Sequence, residues 1–193
     1  KQISKDIRKI EEKDLENIDA IIHLAALSND PLGAFSPKLT EDINLNSTIK
    51  LIDLAKKNKV SRFIFASSQS MYGIVEHDQE VGEDEKKNPL TTYVETKMKA
   101  EEYLISQKTE DFIVCAFRPS TVFGSSLKFR SDIVFNNLMS SAYTKGKIEI
   151  KSDGSPWRPI VHVQDVANAF ISGIIADPEL VNGEVFNVGF YPN

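Results

Sequence analysis

Phe63-Ile64-Phe65-Ala66-Ser67-Ser68 and, after a loop, Tyr93-Val94-Glu95-Thr96-Lys97 are the two stretches around which the chain is organised. The first is a short apolar run ending in hydroxyls, the pattern of a buried strand with a polar tip. The second sets a phenol and an ammonium four residues apart, so a helix carries both on one face. A strand tip beside such a helix brings a serine, a tyrosine and a lysine together. That trio suits hydride and proton transfer at an alcohol or ketone, because the phenol exchanges the proton while the hydroxyl holds the oxygen. A free tyrosine has a pKa of about 10, so ionising it near neutrality asks for roughly three units, about 4 kcal/mol. An ammonium at about 4 Å supplies energy of that order at an effective dielectric near 20.

On the N-terminal side, residues 10 to 18 are charged with helical spacing, and Ala20-Ile21-Ile22-His23-Leu24-Ala25-Ala26 reads as a buried strand with His23 a structural histidine inside it. After a loop with Asn29, Pro31, Gly33 and Pro37, Thr40 to Asn58 has helical spacing, with Thr40 as its cap. The strand Arg62 to Ala66 follows. An acidic loop through Gly82 and Pro89 then leads to a helix from Thr91 to about Gln107, and Phe112 to Phe117 is the next strand, ending at Arg118-Pro119. Strand, helix, strand, helix, strand with little alternation in the strands indicates a parallel sheet covered on both faces. Ligands of such sheets sit beyond the carboxyl ends of the strands, where Ala25-Ala26, Ser67-Ser68 and Arg118-Pro119 fall.

Beyond Gly124 the character changes. A helix is expected from Asp132 to Thr144, a short strand at Ile148 to Ile150, and a turn at Asp153-Gly154. Trp157-Arg158-Pro159 leads to a strand at Ile160 to Val163, then a helix capped by Asp165 running to Ala176, then a last strand Glu184 to Val188. Residues 1–125 thus form the parallel-sheet part, and 126–193, too short and intermixed for a separate domain, are mainly a lobe over the sheet. The fold class is α/β, a doubly wound parallel sheet with that C-terminal lobe.

With 193 residues, of which 41% are apolar, the chain can bury one sizeable core. Its net charge of −5, with lysines alternating with acids along the helices, gives no footprint for nucleic acid or an anionic membrane. No apolar run is long enough to span a bilayer and the N-terminus resembles no secretory signal, so a cytoplasmic location is expected. The single cysteine, Cys115, lies in the apolar run Phe112 to Phe117 without a charged neighbour and reads as a core thiol.

The motifs now add up to a resemblance. The chain is similar to the extended short-chain dehydrogenase/reductase superfamily, in its NAD-dependent nucleotide-sugar epimerase/dehydratase branch. The matching residues run nearly end to end: Asp6-Ile7-Arg8, His23-Leu24-Ala25-Ala26, Asn44, Ser67-Ser68-Gln69-Ser70-Met71-Tyr72-Gly73, Tyr93 with Lys97, Arg118-Pro119 with Val122-Phe123-Gly124, Asn137-Leu138, Arg158-Pro159-Ile160-Val161-His162-Val163-Gln164-Asp165-Val166-Ala167, and Phe186-Asn187-Val188-Gly189.

The resemblance implies that 1–125 are a dinucleotide-binding Rossmann-like part, incomplete at its N-terminus, that 126–193 are mainly a small substrate-binding lobe intermixed with the sheet, and that each matching residue has a role. Ser68 is the substrate-polarising hydroxyl, Tyr93 the general acid/base, and Lys97 the residue that lowers the tyrosine pKa and holds the nicotinamide ribose. Asp6 and Ile7 contact adenosine, Leu24, Ala25 and Ala26 pass along the dinucleotide, Pro119 neighbours the nicotinamide, and Asn44 holds the active-site backbone and cofactor. Asn137, Leu138 and Arg158 grip the nucleotide and diphosphate of the sugar donor, where a guanidinium suits phosphate. Arg158 as a structural ion pair stays open, and Trp157 reads as packing. The implied reaction is NAD(P)-dependent epimerisation of a nucleotide-diphosphate sugar through transient hydride transfer, in a homodimer joined through the helices at 40 to 58 and 92 to 107. A reductase or dehydratase using the same trio, or a non-catalytic NAD-binding homologue, are the alternatives.

Two departures stand out. The Gly-x-x-Gly-x-x-Gly loop that seats a pyrophosphate on a helix N-terminus is absent, since no glycine precedes Gly33. The resemblance therefore places the start of the chain at the family's third strand, without the first two strand-helix units. Thr121 also replaces an asparagine that many members use near the substrate diphosphate.

Overall fold

The computed structural model describes residues 2–28, 35–74, 80–150, 152–153 and 159–189. Strand β1 is Ala20–His23. Helix α1 runs through three joined segments, Pro37–Glu41, a π turn Asp42–Asn46, and Ser47–Lys57. Strand β2 is Arg62–Ala66, helix α2 is Thr92–Ser106, and strand β3 is Ile113–Pro119. The short strand β4, Thr121–Phe123, precedes helix α3, Val134–Lys145. Strand β5, Ile160–His162, runs straight into helix α4, Val163–Ile175. A single turn α5, Pro178–Val181, leads to strand β6, Glu184–Val188.

The central sheet has the order β1-β2-β3-β6 with every pair parallel, and β4 pairs with β5 beside it. Register sets Ile22 against Ile64 and Ile64 against Cys115, while Phe65 faces His23 and Pro119 faces Val188. All strand tips therefore point the same way, toward one edge.

The sheet buries both faces, which is why β2 from Phe63 to Ala66 and β3 from Ile113 to Phe117 are apolar throughout. Phe63, Phe65, Val114 and Ala116 meet Leu51, Ile52 and Ala55 of α1 and Ala100 and Leu104 of α2. The intervening residues Ile64, Ile113, Cys115 and Phe117 meet Val166 and Phe170 of α4 and Val181 of α5. Each fully buried Val, Leu, Ile or Phe among these contributes about 1.5–3 kcal/mol. On this second face Gly173 lets α4 lie close, because a Cβ there would sit 2.7 Å from the Phe117 ring.

Several boundaries differ from the sequence reading. The charged stretch at 10 to 18 forms no α-helix; Ile7–Lys9 and Glu12–Leu15 are single 3-10 turns, of whose residues only Leu15 is buried. One buried residue cannot offset the cost of nucleating a longer helix, and Asn17, at φ 60°, breaks the chain direction. The first strand ends at His23 rather than Ala26, because the following loop is drawn onto α1. Thr40 does not cap α1 but lies inside it, with its hydroxyl donating to the Ser36 carbonyl; the helix starts at Pro37, whose fixed φ suits a first turn. Asp165 is likewise within its helix, and His162 caps α4 by accepting the Gln164 amide on Nδ1 at 3.2 Å. Residues 148 to 150 form no strand, since β5 takes β4 as its partner.

Candidate active site

The polar groups collect beyond the tips of β1, β2 and β3. Ser68 ends the extended run after β2 and caps a 3-10 turn, Gln69–Tyr72, its Oγ accepting the Ser70 amide at 3.2 Å. That hydroxyl is an acceptor on one side and can give its own proton to a substrate oxygen. Helix α2 packs against this turn. Thr91 caps α2 through its hydroxyl, so Tyr93 lies half-buried in the first turn and Lys97 follows one turn later.

Lys97 is 3% exposed, and its Nζ donates to the Ala66 carbonyl at 2.6 Å while standing 4.6 Å from the centre of the Phe65 ring. Burial pushes its ammonium down to about 7. A cation held this dry gains much from any negative charge that forms beside it.

Asn44 is buried at the centre of the π turn. Its Oδ1 accepts the Leu27 amide at 2.8 Å and its Nδ2 donates to the Leu27 carbonyl at 3.0 Å, a two-way clasp on the loop after β1. A π turn shifts the helix register by one residue, and such turns recur where a side chain must be aimed. Below it, Thr48 donates its one hydroxyl proton to the Asn44 carbonyl at 2.9 Å. The Thr48 oxygen must therefore accept from His23 Nε2, 2.8 Å away, so His23 carries its proton on Nε2. Burial, assisted by nearby Lys97, pushes His23 down to about 3, and its ring stacks on Phe65. It is a structural histidine.

The other anticipated residues are placed as follows. Leu24 and Ala25 are exposed and Ala26 half-buried on the open edge beyond β1, and Pro119 ends β3 beside Val188. Asp6 caps the turn Ile7–Lys9 and is gripped by Arg8, whose hydrogen bonds hold the carboxyl down at about 2; Ile7 packs on the core beneath α1. Asn137 in α3 donates to the Ser131 carbonyl at 2.9 Å and lines a shallow cavity of 170 Å³ with Ser140, Thr144 and Lys145. Leu138 is half-buried beside it. Arg158 and Trp157 lie outside the described residues. Burial lifts the Cys115 thiol to about 12, in keeping with a core residue.

The sequence reading missed a buried ionic network behind the site. Arg118 and Glu101, each 1% exposed, form a two-pronged pair, Nε to Oε2 at 2.9 Å and Nη2 to Oε1 at 2.6 Å. Burial alone would raise the Glu101 carboxyl, but the Arg118 hydrogen bonds outweigh it and hold it below the ordinary range. The available signal was Glu101 lying one turn after Lys97, with an arginine closing an otherwise apolar strand. Among the described residues no group of three or more metal-ligating side chains occurs, and no helix is long and apolar enough to cross a membrane.

Known proteins share this fold. The chain is 29% identical over 189 residues to the UDP-glucose 4-epimerase of Lactobacillus helveticus, covering 90% of this chain and 57% of that protein. It is 27% identical over 179 residues to an uncharacterized UDP-glucose epimerase, YtcB, of Bacillus subtilis, covering 91% and 54%. It therefore spans little more than half the length of these curated relatives. Its backbone superposes with a TM-score of 0.85 on the UDP-N-acetylglucosamine 4-epimerase from Methanobrevibacter ruminantium in complex with UDP-N-acetylmuramic acid, at 29% identity over 97% of this chain and 60% of that one. MoeE5 in complex with UDP-glucose and NAD gives a TM-score of 0.82 at 30% identity over 97% of this chain and 62% of that one. A match over residues 4–189 shows, with the parallel sheet, that the chain belongs to the NAD dependent epimerase/dehydratase family.

Proposed function

We propose that the protein is an NAD-dependent epimerase of a nucleotide-diphosphate sugar. The observation that carries this reading is Lys97, a buried cation one turn from Tyr93 with one of its three N–H groups spent on Ala66, the last residue of the strand that delivers Ser68. NAD fits the groups present at this edge: a lysine with donors to spare for a ribose, the exposed residues Leu24 and Ala25, and Pro119 at the tip of β3. When bound, NAD supplies the hydride acceptor and donor. Asp6, Ile7, Ala26 and Asn44 complete its site, Asn44 by holding the Leu27 loop in place.

The chain's own residues handle the proton and the oxygen. Ser68 donates to the sugar oxygen that becomes a carbonyl. Tyr93, as phenolate, removes the proton from that oxygen and later returns it. Lys97 stabilises the phenolate, and the phenolate in turn favours the charged lysine that burial disfavours. Arg158, Asn137 and Leu138 bind the nucleotide and diphosphate, Asn137 through its carbonyl oxygen while its amide holds Ser131. We place the protein in the cytoplasm as a homodimer joined across α1 and α2, whose outer faces border a groove lined by Lys38, Glu41, Glu95 and Lys99.

Dehydration is the competing chemistry, since the chain is also 27% identical to the human dTDP-D-glucose 4,6-dehydratase. Elimination of water asks for an acid and a base beside the catalytic hydroxyl. Here Ser68 is followed by Gln69 and Ser70, and neither an amide nor a hydroxyl relays protons well at neutral pH. Incubating the full-length protein with a panel of nucleotide sugars, with products read by NMR and mass spectrometry, tests both points. An epimer without mass change is expected; a 4-keto-6-deoxy product, or no turnover of any nucleotide sugar, would overturn the reading.

A further inference from the structure

The network around Arg118 has one end on the helix that carries Tyr93 and Lys97 and the other on the turn that starts at Ser68. Glu101 lies on α2 one turn beyond Lys97 and two beyond Tyr93. It grips Arg118 on β3. Arg118 passes through to the turn, its Nη1 donating to the Tyr72 hydroxyl at 2.6 Å and to the Glu83 carbonyl at 2.8 Å. Tyr72 closes the turn that Ser68 caps, and donates onward to Asn187 Oδ1 on β6 at 2.8 Å. Asn187 then ties down the intervening loop, its Nδ2 donating to the Val81 carbonyl and its amide to the Glu83 carboxylate.

We propose that Glu101, Arg118 and Tyr72 are positioning residues that set the Ser68 hydroxyl against Tyr93 and Lys97, a proposal that rests on the catalytic reading of that trio. The described residues between Tyr72 and Thr92 form no helix or strand, so local chain connectivity does not fix the distance between the two catalytic groups. The buried relay does so in two hydrogen-bonded steps. A carboxylate and a guanidinium are costly to bury, and a pair of apolar side chains would stabilise the fold as well or better. What the apolar pair lacks is direction: the flat guanidinium holds the carboxylate on one side and the phenol on the other at fixed angles. The turn is held from its other side too, since the Asn88 amide donates to the Met71 carbonyl at 2.7 Å. There Gly73, at φ 76°, must lack a side chain because a Cβ would stand 2.6 Å from the Asn88 carbonyl. With this loop bearing down on it, the turn keeps one orientation only while Tyr72 is tethered.

Tyr72→Phe removes the tether without changing charge or volume. In the full-length protein this variant should lose about ten- to a hundredfold in kcat, the scale of a small misplacement of reacting groups. The KM for the nucleotide sugar and the NAD affinity should stay within about threefold, because the Tyr72 hydroxyl is buried between Arg118 and Asn187. In a Ser68→Ala background the same change should cost almost nothing further, since the hydroxyl it positions is gone. Amide hydrogen exchange gives a readout independent of turnover: the Ser70, Gly73 and Asn88 amides should exchange faster in Tyr72→Phe and in Glu101→Gln, while the core amides of β2 keep their protection in Tyr72→Phe. Turn amides unchanged in Tyr72→Phe would overturn the proposal, as would a kcat loss that adds fully to that of Ser68→Ala. If wild-type protein turns over no nucleotide sugar, the functional reading falls, and the exchange data alone decide whether the relay sets the turn.

Discussion

The Lys97 ammonium donates to the Ala66 carbonyl at 2.6 Å, so a helix and the tip of a strand 31 residues earlier are joined at the atom on which the proposed chemistry depends. Burial depresses Lys97 to about 7 against an ordinary value near 10.5. Between those values the unfolded chain binds the proton that the folded, ligand-free protein has lost. Stability should therefore rise with pH across that window, by as much as ~1.4 kcal/mol per pH unit. Lys97→Met should flatten the rise and abolish turnover together; urea melts at pH 7 and pH 9 check the first part. A slope unchanged by the substitution would show that the lysine stays charged throughout.

Tyr93→Phe removes the proton acceptor while keeping the ring. Turnover should fall about a hundred- to ten-thousandfold with little change in NAD affinity. In the wild type, activity should drop on the acid side as the phenolate is protonated, and the residual activity of the variant should lack that limb. Stopped-flow absorbance with an independent cofactor titration checks both.

His23, pushed down to about 3 from an ordinary 6.5, carries the opposite end of the pH range. Acidification from pH 6.5 toward 3 protonates the unfolded chain but not the buried ring, so stability should fall as pH falls through that interval. His23→Gln, which can still donate to Thr48, should shallow the acid slope of the melting temperature. Thermal melts at half-unit steps measure it.

Asn44→Ala leaves both polar groups of Leu27 without their partner. Losing two buried hydrogen bonds should destabilise the protein by about 2–4 kcal/mol. It should also weaken NAD binding, because the loop at 24 to 28 forms one wall of the proposed site; chemical denaturation and a cofactor titration are the measurements. Asn44→Asp preserves the acceptor for the Leu27 amide but not the donor, and should fall between the two.

The parallel sheet was legible in the sequence because strands buried on both faces are apolar at every position, and β2 and β3 at Phe63–Ala66 and Ile113–Phe117 carry that signature locally. The pairing of Tyr93 with Lys97 was equally local, since a helix of any origin puts residues four apart on one face. Strand ends and caps were less so: Thr40 and Asp165 have capping side chains, yet Pro37 and His162 begin their helices because the preceding chain enters there. The π turn at Asn44 left no local pattern, and the group its side chain bonds lies 17 residues away on Leu27. Least visible of all was the Arg118 relay. A sequence shows a charge at the end of a strand, but only the tertiary structure decides whether it meets water or a carboxylate from another element. Here burial removes the water, and a buried guanidinium is tolerable only with Glu101 and Tyr72 in place to receive it.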